Sequence, residues 1–260
     1  MTSASRAPAA GRVVFVGAGP GSADLITLRG ARALATAQVV LFDALTDPAL
    51  RDLAPQARWI DVGKRGYGQA TAQARIDALL VRQARAHAVV VRLKGGDPSV
   101  FGRLEEELLA LAIAGIECEV VPGVTAALAA AAATQRPLTR RGTGRSVILR
   151  TAMTQDGRLR AACSADTEVY YMAGRQLATL GRALGAAGWS ADTPVSVVSR
   201  AGWPDQLAST HSVAGMGEAA LLHSGRPTVV TVGVGAAAVA SPAGDRALQA
   251  APATSSAGAP

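Results

Sequence analysis

From residue 12 to about residue 133, short apolar runs alternate with stretches whose apolar side chains recur every three or four positions. Residues 12–16, 39–42, 59–62, 88–93 and 118–121 are short and rich in β-branched side chains, and they read as strands. Residues 24–35, 71–86 and 103–114 carry helical spacing; in the second of these, Ile76, Leu79, Leu80 and Gln83 form one buried face. Such alternation predicts a largely parallel, wound sheet, with ligands at the carboxyl ends of its strands. A second α/β pattern follows, with strands over 146–149, 168–171, 194–198, 207–213 and 228–232 and helices over 177–187 and 217–222. The pattern divides the chain into a flexible start (1–11), an N-terminal α/β domain (12–135), an inter-domain crossing (136–145), a C-terminal α/β domain (146–239) and a tail (240–260). The tail is Ala, Pro and Ser with few large apolar groups, and disorder is expected there.

Residues 13–24, Val-Val-Phe-Val-Gly-Ala-Gly-Pro-Gly-Ser-Ala-Asp, carry the most chemistry. A strand stops at Gly17, Gly19 and Gly21, which permit a tight turn and a close backbone approach to a ligand. A helix starting beyond them presents unpaired N–H groups. A dinucleotide fingerprint needs Gly-x-Gly-x-x-Gly, but Ser22 stands at the third glycine and Pro20 removes a donor inside the loop. Asp43, after a second apolar run, falls about where a ribose-binding acid would. On these glycines alone, a dinucleotide site, another small-molecule seat and a purely structural turn all stay open.

Composition narrows the classes. The 260 residues are 49% apolar but only 3% aromatic, enough for one large or two medium domains whose alanine-rich elements pack closely. The longest apolar runs, such as 126–133, fall well short of the roughly 20 residues a membrane span needs. Residues 1–10 lack the apolar core of a secretion signal, so a cytoplasmic protein is expected. Of two cysteines, Cys163 and Cys118, the latter lies in an apolar strand pattern and is expected to be a buried small hydrophobe. His87, His211 and His223 are isolated in sequence, and surface or satisfied-core roles are expected for them rather than metal ligation. Net charge is +7, from 26 Lys+Arg against 19 Asp+Glu, with one cluster at Arg136, Arg140, Arg141 and Arg145. Without interleaved aromatics that cluster argues against a nucleic-acid stacking platform, and no nucleic-acid partner is expected.

Three more Gly/Pro turns follow strands: Gly63-Lys64-Arg65, Lys94-Gly95-Gly96-Asp97-Pro98 and Val121-Pro122-Gly123-Val124-Thr125-Ala126. None is a phosphate-binding lysine loop, since Arg58 stands where the leading glycine of Gly63-Lys64 would be. Together with the first turn they read as the wall of one pocket.

In order and spacing these motifs resemble the tetrapyrrole methylases over roughly residues 12–235. The resemblance rests on Val16-Gly-Ala-Gly-Pro-Gly21 with Asp24-Leu-Ile-Thr-Leu28, then Val39-Val-Leu-Phe-Asp43 and Val62-Gly-Lys-Arg65. It continues through Val91-Arg-Leu-Lys-Gly-Gly-Asp-Pro98, Phe101-Gly-Arg103, Val121-Pro-Gly-Val-Thr-Ala126, Pro137-Leu-Thr139 and Tyr171-Met172. It implies two α/β domains with the active site in the cleft between them, S-adenosylmethionine as cofactor, an anionic tetrapyrrole substrate and a homodimer. Its implied reaction is methylation of uroporphyrinogen III at carbons 2 and 7, giving precorrin-2 for sirohaem or cobalamin. By motif match, Pro20, Gly95, Gly96, Asp97, Val100, Thr125, Ala126, Met172 and Ala201 would line the cofactor site. Asp43 resembles the family's proton acceptor and Lys64 its proton donor.

Each of these residues also has a plainer role open to it. Asp43 can cap a turn, Lys64 can be a surface charge, and Met172 beside Tyr171 can fill a core. The chain departs from the family pattern at Ser22, Ala44, Arg140, Thr151-Ala152-Met153 and Ser199-Arg200-Ala201. Most departures fall on the substrate or crossing side, so a later precorrin methylase, and more distantly an RNA-modifying relative, remain alternative acceptor classes.

Overall fold

The computed structural model describes residues 11–63, 71–153 and 159–239. Lys64, the starting segment and the tail lie outside the described residues. The first sheet contains β1 (Arg12–Gly17), β2 (Val39–Phe42), β3 (Arg58–Asp61), β4 (Val89–Lys94) and β5 (Cys118–Val121). Its order is β3-β2-β4-β1-β5, and every pairing is parallel. Successive side chains of a strand leave by opposite faces, so each inner strand feeds two cores. Val14, Val16, Val40, Val91 and Leu93 pack with Leu34 of α1 (Leu28–Ala35) on one face. Val13, Phe15, Val39, Leu41 and Val90 pack with Leu80 and Ala84 of α2 (Thr71–Ala86) and Leu111 of α3 (Leu104–Ile113) on the other.

The second sheet runs β6 (Val147–Thr151), β7 (Thr167–Tyr171), β10 (Thr228–Gly233), β8 (Pro194–Ser199), β9 (Leu207–Ser212). Only the β6–β7 pair is parallel; the rest are antiparallel. Leu177, Leu180 and Leu184 of α5 (Leu177–Ala186) and Met216 and Ala219 of α6 (Met216–His223) cover one face. The other face is sealed by α4 (Ala126–Ala133), whose Ala127, Ala129 and Ala130 pack against Val169, Tyr171, Val198 and Val229. Alanine lets that helix lie flat on the strands. The helix therefore packs with the second sheet although it precedes residues 136–145.

Two expectations are corrected. The helix over 24–35 is two pieces, a 3₁₀ turn at Ala23–Leu25 and then α1. Ile26 is extended, and Thr27 caps the new start by accepting from Gly30 N–H at 3.1 Å. Cys118 is exposed, because β5 is an edge strand whose first residues stand clear of the helices. His211 and His223, apart in sequence, meet in the fold: both ring Nε2 atoms share the Ser209 hydroxyl, at 2.7 and 2.8 Å. His223 is a satisfied core residue, fully buried and bonded through Nδ1 to Ser199 Oγ at 2.7 Å.

Candidate functional site

A parallel sheet delivers all its strand-to-helix turns to one edge, and here the turns also touch. An isolated antiparallel bridge joins Gly19 and Gly96, with Gly96 N–H donating to Gly19 O at 2.7 Å and Gly19 N–H to Gly96 O at 3.3 Å. A Cβ at Gly17 would stand 2.5 Å from Gly123 Cα, so the first and fifth turns fit only because both are glycine. Asp97 ties the fourth turn to the fifth: Oδ2 accepts from Gly123 N–H at 2.9 Å, and Oδ1 accepts from Ser99 N–H at 2.8 Å. That carboxylate therefore organises loops, each oxygen keeping one further acceptor site.

Two glycines behave differently. A Cβ at Gly95 would come no nearer than 3.4 Å to Leu45, and one at Gly96 no nearer than 3.9 Å to Thr125. Protein packing does not demand glycine at Gly95, while Gly96 needs it for its φ of +72°. The pair leaves open backbone at the centre of the sheet edge, a cradle that side chains would fill. The space where a Cβ would stand fits a ligand that approaches the main chain closely, as S-adenosylmethionine would.

Loops of the second half close over this edge. Ser22 N–H donates to Gly202 O at 2.9 Å, and the Trp203 indole N–H donates to Pro20 O at 3.1 Å. Tyr171, at the end of β7, places its hydroxyl 2.8 Å from Thr125 Oγ1 and accepts from Ala127 N–H at 3.3 Å. Burial raises the Tyr171 pKa, keeping it a neutral phenol. Its ring meets Phe101 edge-on, with centroids 5.1 Å apart. Phe101, Arg103, Met172 and Arg200 all have positive φ, a strained conformation for these residues, and all four belong to loops of this region. Met172 is 41% exposed rather than core filler. Ala201 is buried against Tyr171 and Ala127, with Val100 and Ala126 packed onto the same cluster.

Asp43 follows β2 and is half-buried, with Oδ1 accepting from Arg92 Nη2 at 2.7 Å. Gly63 packs against the Ala44 backbone, so the third turn adjoins the second. Its neighbour Lys64 lies outside the described residues. Behind Asp43 stands a buried group that the sequence reading missed: Arg92 and Lys94 of β4 converge on Glu107 of α3. Its only sequence signal is a pair of charges alternating inside the apolar run of β4. Burial and the neighbouring Arg92 charge lower the Lys94 pKa. Burial also pulls Arg92 down, but the charges of Asp43 and Glu107 outweigh it and leave Arg92 raised.

The arginine cluster separates. Arg136 bonds Thr210 Oγ1 at 2.7 Å, and Arg140 donates to the carbonyls of Ala237 and Ala238. Arg141 and Arg145 are exposed. A cavity of about 670 Å³ flanks the fourth turn beside Pro98, Phe101 and Leu104, and one of about 580 Å³ lies in the second half beside Asp166 and Trp189.

The model of the Tetrapyrrole (Corrin/Porphyrin) Methylases matches residues 12–216. The chain belongs to the tetrapyrrole methylase family. Over 195 residues it is 47% identical to a uroporphyrinogen-III C-methyltransferase of Pseudomonas aeruginosa, covering 74% of this chain and 80% of that one. A siroheme synthase of Neisseria meningitidis serogroup B is 42% identical over 229 residues; the match covers 86% of this chain but 47% of that relative. Among solved structures, uroporphyrin-III C-methyl transferase from Thermus thermophilus complexed with S-adenyl homocysteine superposes with a TM-score of 0.76 at 36% identity. That match covers 86% of this chain and 98% of the other. Among the described residues no helix is long and apolar enough to cross a membrane, and no group of His, Cys, Asp and Glu could hold a metal ion.

Proposed function

We propose that the chain methylates uroporphyrinogen III at carbons 2 and 7, using S-adenosylmethionine, and gives precorrin-2 for sirohaem or cobalamin. The observation that carries this reading is the 47% identity to a uroporphyrinogen-III C-methyltransferase across 80% of that relative. The open cradle at Gly95 and Gly96 is what such a cofactor requires. When bound, the cofactor supplies a methyl group already activated by its sulfonium.

What this chain must then do is align, exclude water and move a proton. Gly95 and Gly96 give close backbone approach, and Pro20, Val100, Thr125, Ala126, Met172 and Ala201 line the remainder of the seat. Asp97 holds the seat's fourth and fifth turns together and adds negative charge facing a cationic ligand. After methylation the macrocycle loses a C–H proton; the electron pair of that bond returns to the ring and Asp43 accepts the proton. Lys64 enters the proposal as proton donor by motif match alone. Arg136 and Arg140 serve the fold, and Arg141 and Arg145 are exposed.

A cytoplasmic homodimer completes the proposal; the exposed Leu109 and Ile113, one turn apart on α3, offer apolar surface to a second copy. The test is mass spectrometry of the product formed from uroporphyrinogen III and S-adenosylmethionine. Addition of two methyl groups supports the reading. Unchanged uroporphyrinogen III, with methylation of a later precorrin instead, assigns the chain to a different branch of the family.

A further inference from the structure

The proposed chemistry makes no use of the charged cluster behind Asp43. Arg92 is 2% exposed, Lys94 3% and Glu107 0%. Arg92 and Lys94 are two residues apart on β4 and share its face toward α2 and α3. Every guanidinium N–H has an acceptor. Nε and Nη2 reach Glu107 Oε1 at 3.2 and 3.1 Å, and Nη2 also reaches Asp43 Oδ1 at 2.7 Å. Nη1 reaches the carbonyls of Leu41 at 3.4 Å and Leu93 at 3.1 Å. Lys94 Nζ lies 3.0 Å from both Glu107 oxygens, and Gln73 Nε2 of α2 lies 3.3 Å from Oε1.

Burying three charged side chains carries a desolvation cost that apolar residues would avoid, as Val91 and Leu93 avoid it on the opposite face of the same strand. With Asp43 as carboxylate the four charges balance. Asp43 is also the one member that reaches solvent, its side chain 32% exposed. A fully committed guanidinium cannot swing, so Oδ1 of Asp43 is held and Oδ2 is left for something outside the cluster.

We propose that Arg92 is the positioning residue for Asp43, with Glu107 as the fixed counter-charge that locks Arg92 in place. The proposal rests on the proton-accepting role given to Asp43 above. Lys94 shares Glu107 and opens directly into Gly95, so the same counter-charge steadies the acceptor and the cofactor turn.

A double-mutant cycle tests it, using wild type, Asp43→Ala, Arg92→Lys and the double variant. Lysine keeps the charge but cannot bridge Glu107, two carbonyls and Asp43 together. Arg92→Lys is expected to bind S-adenosylhomocysteine within about twofold of wild type by calorimetry, while kcat on uroporphyrinogen III falls roughly 10- to 100-fold and KM barely moves. Because Arg92 acts through Asp43, the double variant is expected to be no slower than Asp43→Ala alone. Losses that multiply, or wild-type kcat in Arg92→Lys, overturn the proposal. If Arg92→Lys does not fold, the charge-balanced Arg92→Gln/Glu107→Gln protein takes its place in the cycle. Urea midpoints of the same proteins read the pairing without substrate: non-additive shifts support it and additive shifts overturn it. A wild type that leaves uroporphyrinogen III unmethylated removes the functional reading, and the urea cycle still decides the pairing.

Discussion

The indole N–H of Trp203 donates to the carbonyl oxygen of Pro20 at 3.1 Å, joining residues 183 positions apart. It closes the later half of the chain over the first glycine turn. Arg200 lies over the Trp203 ring, 4.4 Å from its centroid, and pairs with Asp205 at 2.6 Å, so the indole is held from behind. Gly21 belongs to the same clasp, since a Cβ there would stand 2.7 Å from both Gly202 and the indole.

Trp203→Phe keeps most of the apolar contact but loses the N–H. The variant is expected to be about 1 kcal/mol less stable, the ordinary worth of one such bond. It is also expected to bind S-adenosylhomocysteine several-fold more weakly, because the clasp fixes the wall containing Pro20. Chemical denaturation and calorimetry check both. An unchanged affinity would mean that the clasp does not shape the seat.

Gly17→Ala forces a Cβ to within 2.5 Å of Gly123 Cα and 2.8 Å of Gly96 O, all of it backbone. The first, fourth and fifth turns must separate to admit it. A loss of at least about 2 kcal/mol is expected, together with loss of cofactor binding. A thermal melt and a binding titration measure the two effects.

Burial lowers the pKa of His223 from its ordinary 6.5, and the neighbouring charges of His211 and Arg226 lower it further. A depressed histidine means that the unfolded chain takes up a proton near 6.5 that the folded chain refuses until lower pH. Its contribution to stability is therefore constant above that value, declines as pH falls through it, and is fully lost below the folded pKa. Urea unfolding at about pH 7.5 and about pH 5.5 is expected to show a steeper acid loss in wild type than in His223→Gln. Equal losses would place the acid sensitivity elsewhere.

Much of the fold was legible in the sequence because parallel strands buried on both faces leave nearly unbroken β-branched runs, as in β1 and β4. The break at Ile26 and Thr27 was hidden, since a capped restart keeps the same apolar spacing as a continuous helix. Cys118 misled because hydropathy does not tell an edge strand from a central one. The glycine turns were legible as a group, but which glycines packing demands needed coordinates: a Cβ at Gly17 would meet backbone at 2.5 Å, whereas one at Gly95 would meet Leu45 at an ordinary contact distance of 3.4 Å. Arg92 and Glu107 were invisible as a pair, because they are 15 positions apart and join only through tertiary contact.

If the glycine turns form one cofactor seat, Gly95→Ala separates that seat from the fold. An added Cβ meets nothing in the protein closer than 3.4 Å, so the fold is expected to keep wild-type stability. Calorimetric titration with S-adenosylhomocysteine is expected to show affinity reduced by about tenfold or more, because the methyl group occupies the cradle itself. A stable Gly95→Ala protein that binds S-adenosylhomocysteine as tightly as wild type would contradict the account.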